Sequence, residues 1–171
     1  MRFTKRAFKV ALLCAVFITA SPFNTVVAEA ESNCFRSKPE ELGFFRRING
    51  ARLGSSRVQL KLDPHLTKIA RKHSREMTGA NVLHHTDTSA FRNRVTNWEL
   101  LGENVGVGST VDSLHHAFMQ SPSHRENVLY STFRHVGVGT RERHGRLWVT
   151  VVFEAESNPG TTLRMPNCFT R

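Results

Sequence analysis

The chain has no apolar run long enough to span a bilayer. Residues 10–20, Val10 to Ala20, stop well short of the ~20 residues a membrane helix needs. Familiar catalytic signatures are also missing: there is no HExxH, no CxxC pair, no G-x-S-x-G elbow and no P-loop. Internal repeats, low-complexity tracts and an interior linker are absent, and 171 residues are ample for one domain but short for two. Cysteine is scarce, with three in the chain. Aromatic residues do not interleave with the arginines, which are scattered (Arg46, Arg57, Arg75, Arg94, Arg125, Arg143) rather than gathered into one tract, so nucleic acid is not an expected partner.

The first thirty residues differ from the rest. Arg2, Lys5, Arg6 and Lys9 precede the apolar run, and small residues follow, with Ala28-Glu29-Ala30 fitting an A-x-A cleavage site. Residues 1–30 read as a signal peptide cut after Ala30, with Ala28 as the rival site and an uncleaved anchor as the alternative. Cys14 follows Leu13, where a lipoprotein wants a small residue, so lipidation is not expected. The expected location is secreted or extracytoplasmic. Loss of the leader removes four cations and Glu29, which takes the formal charge from +10 to +7. That balance favours anionic partners, with a solvated basic surface as the plainer account. Cys34 and Cys168 remain, near opposite ends, and in an oxidising compartment an even pair invites a disulfide. Such a bridge closes more than a hundred residues and is worth up to about 4–5 kcal/mol in the chain-entropy treatment.

The interior reads as helices followed by strands. After an irregular lead-in at 31–38, Pro39-Glu40-Glu41 starts a helix, with acids facing the positive end of its dipole. Leu42, Phe45, Ile48, Asn49 and Arg52 follow at helical spacing, and Gly54 stops the run. Asp63 caps a second helix with Pro64 at its first turn. Its inner face is Leu66, Ile69, Ala70, His73 and Met77, and Gly79 ends it. A loop holds Leu83-His84-His85-Thr86-Asp87, and a short helical turn covers Phe91 to Val95. Residues 97–107 contain a strand that ends in a glycine-rich turn around Glu103. Thr110 caps a third helix, with Val111, Leu114, His115 and Phe118 on one face, and Ser121-Pro122-Ser123-His124 opens a fourth. Residues 136–139 and 147–153 read as two strands joined by a polar hairpin, Arg141 to Arg146. The second strand is apolar on both faces, so a layer must cover each side of it. The expected fold is α+β: a three-layer α-β-α sandwich on a small, mainly antiparallel central sheet.

Nine histidines are many for this length. His73 belongs to an apolar face and reads as a core residue. His65, His116 and His144 read as surface residues, and His115 and His135 stay open. His84 and His85 are neighbours, so at most one of them enters any given site. Glu103, flanked by glycines, is either a positioned acid or a carboxylate closing a local turn. His124 either faces out of its helix's first turn or lies in solvent. The residues themselves lead as far as two histidines and one acid around a small sheet.

Taken in order, these segments resemble the CAP superfamily, also called SCP-like. It groups cysteine-rich secretory proteins, insect venom antigens, plant pathogenesis-related proteins and many secreted bacterial proteins. The resemblance covers about residues 39–155. It rests on Asp63-Pro64-x-Leu66, Leu83-x-His85-Thr86, Gly102-Glu103-Asn104-Val105, Ser121-Pro122-Ser123-His124-Arg125-x-Asn127-Val128-Leu129, Val136-Gly137-Val138-Gly139 and the last apolar strand. Each motif is weak alone, the ordered set is specific, and the S-P-x-H-R-x-N-[IV]-L run is similar to the bacterial branch. The resemblance implies an α-β-α sandwich and a cleft lined by two histidines and two acids. His85, Glu103 and His124 take three of those places. Ser121 stands where the second acid is expected, and Glu126 is out of register with it. It also implies that His85 and His124 can hold zinc or another divalent metal. With two protein ligands where zinc catalysis commonly has three, such binding would be weak.

Two functions follow as expectations. One is a non-enzymatic, monomeric extracellular binding protein for lipid, cell-wall polymer or protein; some family members are reported to bind sterols or lipids. The other is a metal-assisted peptidase or esterase, with His85 and His124 on the metal and Glu103 as the catalytic base.

Overall fold

The computed structural model describes residues 35–95 and 98–155, all within one of the two units into which the chain divides, Asn33–Arg171. The leader, Cys34, Cys168 and the whole of the tail expected at 156–171 lie outside the described residues. In chain order the elements are α1 (Pro39–Gly54), β1 (Lys61–Leu62), α2 (Pro64–Ala80), α3 (Thr88–Arg94), β2 (Leu101–Gly108), α4 (Val111–Gln120), α5 (Pro122–Leu129), β3 (His135–Arg143) and β4 (Arg146–Glu154).

The strands form one sheet in the order β1-β3-β4-β2. β1 runs parallel to β3, whereas β3–β4 and β4–β2 are antiparallel. α2 covers one face. Its approach is set by Gly137 and Gly139 of β3: a Cβ on Gly137 would lie 2.2 Å from the carbonyl carbon of Leu66, and one on Gly139 would lie 2.1 Å from the amide nitrogen of Arg71. Helix backbone therefore rests directly on strand backbone. On the opposite face, α1, α4 and α5 cover Val136, Val138, Val149, Val151 and Phe153 through Phe44, Ile48, Leu114, Phe118 and Val128. With apolar layers above and below it, β4 is buried along nearly its whole length. The expected three-layer arrangement holds.

Helix starts follow local chemistry. The Asp63 carboxylate accepts from the amides of His65 and Leu66, and Thr110 Oγ1 accepts from the amide of Ser113. Differences from the sequence reading come from longer-range contacts. On α1 it is Phe44, rather than Phe45, that is fully buried, with its ring 6.1 Å from that of Phe118. The polar residues Glu41, Asn49 and Arg52 share that buried face because each is saturated. Glu41 accepts two bonds from Arg71 and one from the Lys38 amide. Asn49 bonds both backbone groups of Leu60. Arg52 donates to the carbonyls of Val58, Val128, Tyr130 and Phe133. The hairpin is tighter than the expected 141–146 loop: β3 and β4 pair out to Arg143 and Arg146, and the turn is His144-Gly145, both at positive φ. β1, a two-residue strand, has no counterpart in the sequence reading.

Gly137→Ala and Gly139→Ala should each destabilise the fold by about 3 kcal/mol or more, since helix backbone has to move. Gly50→Ala, on α1 with open space around its Cβ, should stabilise it by up to about 1 kcal/mol. Urea unfolding of the three variants checks both signs.

Candidate functional site

Strand β2 is an edge strand, and its successive side chains point to opposite faces of the sheet. Glu103 faces the α2 side, where Val105 and Val107 pack with Met77 and Trp148. Asn104 faces the other layer. The glycine-rich segment is thus extended strand rather than the turn expected around Glu103. Its glycines make room for side chains from the opposite layer: a Cβ on Gly102 would lie 2.8 Å from the Phe133 ring.

Each of these two residues holds one histidine-bearing segment. Glu103 Oε1 accepts from His85 Nδ1 at 2.9 Å and from the Thr86 amide at 2.9 Å, and Oε2 accepts from Thr86 Oγ1 at 2.5 Å. The carboxylate side chain is 6 % exposed, whereas the His85 side chain is 60 % exposed. The bond fixes the His85 tautomer with its proton on Nδ1 and leaves Nε2 as the lone-pair nitrogen. Asn104 Nδ2 donates to the His124 carbonyl at 2.9 Å, and Asn127 donates both to Asn104 Oδ1 and to the Glu103 carbonyl. The α5 start is thereby tied to the same stretch of strand.

His124 Nδ1 lies 2.9 Å from Ser121 Oγ, and its ring packs 5.0 Å from that of Phe118. Ser121 makes no side-chain cap on α5, so its hydroxyl is free to serve the imidazole, at the place where a second acid was expected. Burial, and then the charge of His85, hold His124 below the ordinary histidine value. The pairing of His124 with Ser121 instead of a carboxylate leaves burial unopposed.

The remaining histidines sort cleanly. His73 is buried, with Nε2 2.8 Å from the His84 carbonyl and Nδ1 3.3 Å from Glu76 Oε2, and its ring meets His84 edge-on at 5.0 Å. It secures the loop that presents His85, a role the sequence reading did not foresee. His65, His116 and His144 are exposed as expected. His115 is half-buried and held below its ordinary value by burial, and His135 is buried 3.7 Å from Glu154. Among the described residues no group of three or more His, Cys, Asp or Glu side chains could hold a metal ion. His85 and His124 offer at most two imidazoles to an ion, one short of the three protein ligands usual for catalytic zinc.

Residues 45–153 match the CAP family, described as the cysteine-rich secretory protein family. This chain belongs to that family. It is 31% identical over 138 residues to the uncharacterized protein YkwD of Bacillus subtilis (strain 168), a stretch that covers 76% of this chain and 51% of YkwD. The chain therefore spans about half the length of that relative. Its fold is similar to the crystal structure of an extracellular protein containing an SCP domain from Bacillus anthracis str. Ames. The TM-score is 0.62 at 22% identity, over 68% of this chain and 40% of that one. It is also similar to NaASP2, a structure solved with Zn2+, at TM-score 0.54 and 12% identity over 68% of this chain and 80% of that one. At these identities the two structures establish the fold and nothing more. The family accounts for the α-β-α sandwich described above. No described helix is long and apolar enough to cross a membrane.

The lowered His124 value sets a pH dependence. The fold favours the neutral imidazole, so the stability it contributes is complete above the unfolded-chain value and is lost as pH falls through the folded one. In an NMR titration His124 should protonate below the ordinary 6.5. His85→Ala should raise that midpoint only part of the way, because burial is the larger cause.

Proposed function

We propose that this chain is an extracellular binding protein without hydrolytic activity, and that His85, Glu103 and His124 line the cleft in which its ligand sits. The observation that carries this reading is the engagement of Glu103. A general base needs a lone pair directed at water or substrate. Three hydrogen bonds from His85 and Thr86 already reach the two oxygens of this covered carboxylate, so Glu103 is suited to orienting His85. The similarity to a bacterial protein described as extracellular and the leader-like composition of residues 1–30 support export.

A divalent ion fits the two imidazoles only loosely. His85 and His124 would hold it, and once bound it would supply a Lewis acid that polarises an oxygen of the ligand. Glu103 keeps Nδ1 of His85 protonated and aimed, and Ser121 gives the His124 ring a hydrogen-bond partner without a charge. One carboxylate outside the metal's ligands, rather than two, stabilises a dication less. Lipid, cell-wall polymer and protein all remain compatible as ligand classes for the cleft.

Calorimetric titration of the purified chain with zinc should give weak binding that disappears in His85→Ala and in His124→Ala and falls about tenfold in Glu103→Gln. Peptide and ester substrates should remain intact with or without zinc. Zinc-dependent hydrolysis abolished by both histidine variants would overturn the reading in favour of the metal-assisted hydrolase.

A further inference from the structure

Lys68, Lys72 and Arg75 recur at i, i+4 and i+7 on α2, and all three are exposed. At 3.6 residues per turn they fall within roughly 60° of one another and span about 10 Å along the helix. Among the described residues none of them forms an ion pair, because the nearby acids are already committed. Glu76 is bonded to Arg94 and His73, and Glu41 to Arg71. The stripe continues over exposed Gly79 and Ala80 into a loop where Val82 and Leu83 are 55% and 46% exposed. Arg143 of the hairpin donates to the Thr78 carbonyl at the end of α2. This contact brings the hairpin, with Arg141, Arg143 and Arg146, to the same end of the domain, and its one acid, Glu142, lines a depression with Glu40.

We propose that the outer face of α2, with the Val82–Leu83 loop at its end, is a docking surface for a membrane leaflet that carries anionic lipid. The uncompensated cations match anionic headgroups, and the long lysine and arginine side chains can reach them from a helix lying along the surface. Two neighbouring aliphatic side chains in solvent are what distinguish a bilayer from a soluble polyanion. They can enter the boundary between headgroups and acyl chains, which a soluble polymer does not offer. The surface does not depend on the cleft or on any metal there. Docking through it would place the loop that carries His85 at the edge of the membrane contact.

The test is sedimentation of the purified chain with vesicles of phosphatidylcholine alone and of an equal mixture with phosphatidylglycerol. Binding should be confined to the anionic vesicles and weaken as salt rises. The triple variant Lys68→Glu, Lys72→Glu, Arg75→Glu should partition about a hundredfold less well. Val82→Ser with Leu83→Ser should lose about tenfold. Both should melt like the parent, since every altered side chain is exposed. His85→Ala and His124→Ala should bind vesicles normally, so that a failure of the cleft reading is seen separately. Equal binding to neutral vesicles, no binding, or an unchanged charge-reversal variant would overturn the proposal. It would also fall if heparin competed fully while the Val82/Leu83 variant bound vesicles like the parent, which would make the partner a soluble polyanion.

Discussion

The closeness of α2 to the sheet governs the arrangement of the domain. With no Cβ at Gly137 or Gly139, the backbone of α2 rests on β3, and the helix has one height above the strands. Side chains at the contact confirm the same register: Ser74 Oγ donates to the Gly139 carbonyl and lies 3.0 Å from Thr150 Oγ1. From that fixed helix the chain leaves through an αL residue, Asn81, into the loop that carries His84 to Thr86. His73, on the same helix, holds that loop by the His84 carbonyl. The height of α2 thus becomes the height at which His85 meets Glu103.

The second histidine arrives from the other layer, and what joins the two is the alternation of strand β2. Glu103 and Asn104 are consecutive, so one must face each layer. The first holds the loop after α2, and the second holds the start of α5. Arg52 fixes the far end of α5 through the Val128 carbonyl and the following segment through those of Tyr130 and Phe133. Burial and the charges of Arg134 and Arg57 lower its value, yet its donors are spread over four carbonyls, which offsets the cost of covering a guanidinium. α5 is therefore gripped at both ends, and His124 has little freedom to leave the strand.

How much of this was legible in the sequence depended on range. Helix starts could be read because capping is a contact between neighbours: Asp63 with His65 and Leu66, and Thr110 with Ser113. The three layers could be inferred from β4, whose residues 147–153 are apolar on both faces apart from Thr150. β1 could not, since two residues have no period and pair only through β3. Phe45 was expected inside in place of Phe44 because the buried face also carries Glu41, which looks like a surface residue until Arg71 is in place. The glycines around Glu103 suggested a turn. Their actual use is to admit Phe133, Phe118 and Leu114 from another layer, and nothing local reveals that. His85 could be separated from His84 only by the family register, and the service of Ser121 to His124 was visible in neither the spacing nor the register.

That substitution gives the two imidazoles different chemistry. His85 donates to a buried carboxylate and is itself exposed. His124 is partly covered, faces a hydroxyl, and is held below its ordinary value. The pair therefore presents one ring backed by a carboxylate and one ring, favoured neutral by burial, beside a hydroxyl. A second carboxylate at position 121 would raise the basicity of His124 and strengthen the field for a dication. Serine there weakens both effects while still giving the ring a hydrogen-bond partner, its hydroxyl 2.9 Å from Nδ1. A partner is retained while charge is reduced, and the reduced charge is what the proposed binding role rests on.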